Sequence, residues 1–416
     1  MKRFFFLGIV LVFILVAAGE LARLSIGPIN GVLPNDLLIG ILGLVWLSQK
    51  IFIERKWPKS ILWAPFFVFI TIAGISLING SKELTTKETL LSSFYLVRFI
   101  EYFLLAFIVH DLAQDKIYRK NIFKVIVGSA LLIAILGFLQ LKFFPDFTEF
   151  QEAGWDPHIN RLLSTWFDPN FVGGMFALVL SLILGKLSVE GKLKKNSWLI
   201  IAGTILLIAL FVTYSRSAYL TFMAAVGIIG LLKSRKILIG ALIASLLLIS
   251  VSDRALDRVT DMIHSAQSLI TTSAELPDAT ARLRIESWEN AIIIIKDHPW
   301  LGVGYNTYSY VQTNYGFVKD LEEHSSTGSD STILTILATT GFIGLAAYLW
   351  LIGAMLWLGF WGRKNALCLG FLGGLCGLLI HSIFVNGLLY TPILIFFYSA
   401  LGLILPPLKS SIKINK

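Results

Sequence analysis

Runs of mostly apolar residues, each close to 20 long, recur along nearly the whole chain, and they constrain its fold more than any other feature. A helix of about 20 residues rises roughly 30 Å, the thickness of a bilayer's hydrocarbon core. In that layer every backbone polar group must be satisfied internally, which leaves helices or closed barrels. The runs are continuously apolar rather than alternating, so they read as helices. They fall at 4–19, 35–53, 60–78, 90–110, 121–143, 169–186, 197–214, 216–232, 237–252, 332–361, 365–386 and 388–407. The composition agrees: 56% of residues are apolar and 15% charged, against roughly 25% charged in soluble domains. The expected fold class is an all-α integral membrane protein of about 12 transmembrane helices, one polytopic unit over residues 1–416.

The charges then orient the helices. The net charge of +9 does not point to nucleic acid, because the basic residues cluster in short loops between apolar runs. With the N-terminus inside, the inner loops hold Lys50/Arg55/Lys56/Lys59, Lys116/Arg119/Lys120/Lys124, Lys186/Lys192/Lys194/Lys195, Lys233/Arg235/Lys236 and Arg363/Lys364. This is the bias of cytoplasmic loops, and it predicts both termini in the cytoplasm. Lys2 and Arg3 precede the first run as in a signal peptide, but the spans that follow make it a retained helix. Cys368 and Cys376 share one apolar run and suggest no disulfide framework.

Two outer segments exceed what a connector needs. One, 144–168, is acidic. The other, about 253–331, has a helical pattern: Asp278 or Thr280 can cap a helix with Ile285, Trp288, Ile292 and Ile295 on one face, ended by Asp297-His298-Pro299. Long loops of this kind carry function.

Four constellations could carry chemistry, three of them in or beside those loops. Arg161 precedes Asp168-Pro169-Asn170, where Asp168 reads as a helix cap and free N–H groups at the helix start favour an anion. Arg216 follows Ser215 in a turn between two spans, either snorkelling to the interface or turned into the bundle. Arg282 and Arg284 precede Pro299-Trp300-Leu301-Gly302-Val303-Gly304; an Arg282–Glu286 surface pair is the plain reading, and bidentate phosphate binding is the sharper one. His324 and Asp330 stand before the tenth span, where Ser329, Asp330 or Ser331 can cap the helix and a histidine or carboxylate can accept a proton. The other five histidines have no comparable setting and suggest no metal site. Inside the membrane, Arg98 and Glu101 lie three apart, where isolated charge is costly, so they are expected to face each other or a wet cavity.

Taken in order, these motifs resemble the O-antigen ligase and polymerase superfamily of bacterial membrane glycosyltransferases over roughly residues 160–360. The resemblance rests on Asp168-Pro169-Asn170, Ser215-Arg216, Arg284 with Trp288, the 299–304 turn and Thr339-Thr340-Gly341-Phe342-Ile343-Gly344-Leu345. It implies transfer of a glycan from undecaprenyl pyrophosphate to an acceptor hydroxyl, without metal or other cofactor. By position it implies Arg216 and Arg282 or Arg284 as pyrophosphate ligands; Arg161, before the anion-favouring helix start, is expected to join them, with Asp168, Asn170, Ser215, Gly302 and Gly304 shaping the site. The base it implies is a histidine near the tenth span. Asp330 occupies the usual spacing of eleven before Gly341, and His324 stands six residues earlier, so His324 is expected as base with Asp330 as the other candidate. The expected partners are a lipid-linked glycan, a hydroxyl acceptor, membrane lipids and envelope-assembly proteins, with the enzyme in the cytoplasmic (inner) membrane and its site on the extracytoplasmic face. A 12-span secondary transporter shares the topology, but no internal repeat supports it.

Overall fold

The computed structural model describes residues 1–25, 31–153, 155–191, 196–233, 235–250, 252–254, 256–258, 260–261, 279–318 and 328–406. Each apolar run is helical. In chain order these helices are α1 (Lys2–Ala18), α2 (Pro34–Ser48), α3 (Trp63–Gly80), α4 (Thr86–Ala113), α5 (Lys116–Phe143), α6 (Pro169–Glu190), α7 (Ser197–Val212), α8 (Arg216–Leu232) and α9 (Arg235–Ser250). The outer loop adds α10 (Ala279–Asp297) and α11 (Tyr308–Asn314), and α12 (Thr332–Trp361), α13 (Ala366–Phe384) and α14 (Thr391–Ile404) follow. The strand content among the described residues is one antiparallel pair of two residues each, Leu24–Ser25 with Gly31–Val32.

Among the described residues, eight helical segments are long and apolar enough to cross a membrane, so the protein is an all-α, multi-pass membrane protein. Ser197–Val212, Arg216–Leu232, Leu238–Leu247 and Thr391–Ile404 are apolar but shorter. α14 is buried along its whole length, from Pro392 to Ile404; a helix apolar all round belongs in a core.

α6, α8 and α13 pack most closely, and small residues make this possible. A Cβ on Gly185 would stand 2.5 Å from the Gly370 nitrogen, and one on Gly370 would stand 2.7 Å from the Leu182 Cα. Close backbone approach over small residues is how helices associate where no hydrophobic force separates them from lipid. The packing sets the starts of α6 and α8 beside the end of α13.

The span expected at 332–361 is present, but it is kinked. α12 is broken at Gly341, which has φ 66° and ψ −174°. The turn after α10 fills the break: Val303 and Gly304 N–H groups donate to the Ala338 and Thr339 carbonyls (3.0 and 3.1 Å), and Phe342 and Ile343 N–H groups donate to Pro299 and Trp300 (2.8 and 3.4 Å). Ser76 Oγ reaches the Leu301 and Thr339 carbonyls at 2.7 and 2.6 Å, which ties α3 to the same joint. The groups freed by the kink are thus re-satisfied.

α10 begins at Ala279, so Thr280 lies inside it and does not cap it; Asp278 lies outside the described residues. The buried face also differs from the expected one. Ala291, Ile294 and Ile295 are buried against Val303, Tyr308, Val311 and Ala338, whereas Ile292 is 42% exposed. Ser287 and Ala291 allow close packing that a stripe of isoleucines would not.

Arg98 has a different partner from the one expected. It pairs with Asp36 on α2 at 2.9 Å and donates to the Gly31 carbonyl at 3.0 Å. Tyr102 donates to the other Asp36 oxygen at 2.5 Å. Asp36 was not distinguished in the sequence because it sits at the start of an apolar run, 62 positions away from Arg98 in the chain.

Candidate active site

The site starts from two helix N-termini. Asp168 caps α6, its Oδ1 accepting from the Asn170 and Phe171 N–H groups at 2.6 and 3.1 Å, with Pro169 in the first helical position. Ser215 caps α8 through the Ala218 N–H (3.3 Å), and its hydroxyl donates to Asn170 Oδ1 at 2.7 Å. The caps are therefore bonded to each other. On the far side the buried His381 ring of α13 donates from Nε2 to the Asn170 carbonyl at 3.1 Å. Both N-termini carry partial positive charge and favour an anion.

A strap from Phe144 to Arg161 covers this arrangement. It closes on itself, with Phe147 N–H donating to His158 O (2.9 Å) and Asn160 N–H to Pro145 O (2.6 Å). Arg161 Nε donates to the Thr213 carbonyl at 2.9 Å and Nη2 to the Tyr214 carbonyl at 3.4 Å, so a cation meets the end of α7. Arg254, beyond α9, donates to the Ile159 and Asn160 carbonyls at 2.7 and 2.9 Å and lies over the Tyr214 ring.

These elements enclose a cavity of about 790 Å³. Arg161, Arg216, Arg254, Arg258 and Arg284 line it, together with the carboxylates Asp156, Asp168, Glu286 and Asp330. Burial, and then the neighbouring Arg258, push the Arg161 guanidinium down to about 9. Burial likewise lowers Arg254, again reinforced by Arg258. Burial and Asp156 push the Asp168 carboxyl up, against the hydrogen bonds from Phe171 and Asn170 that lower it. Crowded cations whose charged forms are disfavoured gain most from a bound anion.

Residues 201–349 match the family described as O-antigen ligase. Over that stretch the chain is similar to O-antigen ligases. The match runs from α7 through the outer loop into the second half of α12, and no curated protein matches the chain. The likeness is to the O-antigen ligase family, and it agrees with the multi-pass helical fold.

The matched stretch supplies only part of the cavity. Arg216, Arg284 and Asp330 lie within 201–349, whereas Arg161, Asp168 and Asn170 come from before it, and all six line the same space. Ser215 is buried behind Asn170. Arg282 is exposed and is not among the lining residues. Gly302 and Gly304 belong to the joint with α12 and not to the cavity wall. The start of α12 is capped by Ser331, and Asp330 before it lines the cavity with a positive φ of 50°. His324 lies outside the described residues.

Several lining residues were not distinguished in the sequence. Arg254 and Arg258 are four apart in a polar segment after α9, a spacing that places both on one helical face and was available as a signal. His158 was set aside, yet it lies in the cavity, 3.5 Å from Arg161 and 4.0 Å from Asp156. Nothing in the local sequence marked Asn386, which reaches the site only through the packing of α13.

Proposed function

We propose that the cavity is where a glycan passes from an undecaprenyl pyrophosphate carrier to an acceptor hydroxyl, in assembly of a cell-envelope polysaccharide. One observation carries the reading: five arginines and two helix N-termini converge on a space of about 790 Å³ that is also lined by a carboxylate, Asp330. The arginines and the α6 and α8 N-termini hold the pyrophosphate. As the acceptor oxygen bonds to the anomeric carbon, its proton passes to Asp330. The bond from that carbon to the phosphate oxygen breaks, and its electron pair stays on the lipid pyrophosphate. Charge grows on that oxygen in the transition state, and guanidinium groups already in place stabilise it there. The chemistry asks for no metal or nucleotide. The reading takes twelve spans with both termini in the cytoplasm and the cavity on the extracytoplasmic face of the inner membrane, a direction supported by the basic residues of the inner loops.

Arg216→Ala and Asp330→Ala, expressed in the native host, are expected to abolish surface glycan at unchanged membrane levels of the protein. His324→Ala in the same host tests the second candidate base: loss with His324→Ala and retention with Asp330→Ala moves the proton transfer to His324. Normal glycan in all three variants would remove the proposal. The lipid-linked species that accumulates separates polymerase from ligase, a single repeat indicating the former and long chains the latter.

A further inference from the structure

The cavity changes chemistry from one wall to the other. Its arginines come from the strap, the α7–α8 turn, the segment after α9 and the first turns of α10. The later turns of α10, the end of α11 and the turn after α13 present uncharged groups instead: Ser287, Asn290, Gln312, Phe317 and Asn386. On α10, Leu283, Glu286, Ser287 and Asn290 fall on one stripe at i, i+3, i+4 and i+7, so the change occurs along a single helix face. This wall is continuous. Ser287 Oγ donates to the Gly328 carbonyl at 3.3 Å, and any side chain on Gly328 would collide with Asn386 Nδ2.

Asn386 is held from behind. Thr335 Oγ1 donates to Asn386 Oδ1 at 3.0 Å and itself accepts from the Ser329 N–H at 3.4 Å. Ser329 is fully buried and Thr335 nearly so. The amide oxygen is thereby occupied, and the amino group is left on the Gly328 side, where both residues line the cavity. Asp330 follows two residues after Gly328 and adds an acceptor to this donor. Fixed, uncharged donors and acceptors beside an aromatic ring suit a neutral polyhydroxylated ligand, and polar groups built to bond hydroxyls reject analogues lacking them.

We infer that this wall is a subsite for a neutral, hydroxyl-bearing sugar of the acceptor, oriented by Asn386, an inference that rests on the transfer reaction proposed above. The acceptor and not the donor belongs here because the hydroxyl that loses its proton must lie within hydrogen-bond reach of the base, and Asp330 borders this wall two residues from Gly328.

The test uses the full-length protein in nanodiscs. Lipid-linked glycan extracted from the host is the donor, delipidated surface polysaccharide from the same cells is the acceptor, and each is varied in turn. Thr335→Val keeps the side-chain volume but removes the hydroxyl that orients the amide, and Asn386→Ala removes the amide itself. Each is expected to raise KM for the polysaccharide about tenfold while leaving donor KM unchanged, a split that a general loss of folding does not produce. An unchanged acceptor KM, or an equal rise in both constants, overturns the subsite. Arg216→Ala in the same assay keeps the two readings apart. If it is inactive while the Thr335 and Asn386 variants match the native protein, only the subsite falls; if it keeps native turnover and donor KM, the proposed reaction falls.

Discussion

Gly341→Ala is expected to release the outer loop from the membrane helices. The residue sits at φ 66° and ψ −174°, a region nearly closed to side chains. A Cβ there would overlap the Trp300 carbonyl and stand 2.5 Å from the Leu301 nitrogen. The backbone conformation alone costs about 1–3 kcal/mol. Withdrawing the 299–304 turn far enough to clear the methyl group also stretches the four hydrogen bonds that tie it to Ala338, Thr339, Phe342 and Ile343, each contributing about 0.5–1.5 kcal/mol. With half of them lost, the cost comes to about 2–6 kcal/mol. It falls on the joint and leaves the buried contacts among α6, α8 and α13 in place. The variant is therefore expected to insert at normal levels, to lose glycan transfer, and to be cut in its outer loop by protease at temperatures where the native protein resists. Gly353→Ala, at a helical position of the same span with open space around it, serves as control and is expected to behave as native. If Gly341→Ala matched that control in both proteolysis and transfer, the reasoning that this glycine fastens the loop would be refuted.

The cluster of arginines predicts a pH limit on anion binding. Arg161 is charged below about 9 and loses its proton as pH rises through that value, so affinity for inorganic pyrophosphate, followed by calorimetry, is expected to fall across that range and not near neutrality. The sign follows from linkage: binding favours the charged guanidinium, so above about 9 the anion must bring a proton with it. Arg254→Ala removes two bonds to the strap and the stacking on Tyr214. It is expected to make the 144–161 segment protease-sensitive and to weaken pyrophosphate binding, and Arg254→Lys is expected to restore little, since a single ammonium cannot fork between two carbonyls.

Much of the site was legible because its signals are local. Asp168 and Pro169 mark a helix start by their own chemistry, and Ser215-Arg216 marks one that follows a tight turn. Arg284 was legible in the same way, as a cation in a segment too long to be a connector. The glycines of the 299–304 turn were legible as a turn but not as half of a joint, because the other half lies at Gly341, about forty residues on. Arg254, Arg258 and His158 look like ordinary loop residues until the strap folds over α7 and α8.

The sequence by itself determined the helices, since a bilayer accepts few ways of satisfying a backbone and continuous apolar runs select one of them. Helix starts came with it, because capping depends on side chains within three residues. Tertiary structure alone decided which charges meet. Arg98 finds Asp36 and not its near neighbour Glu101, and Asn386 stands at the cavity only because glycines let α13 lie against α6. A pairing between distant helices depends on the face each turns to the other, and apolar runs of nearly uniform hydropathy leave that face unmarked.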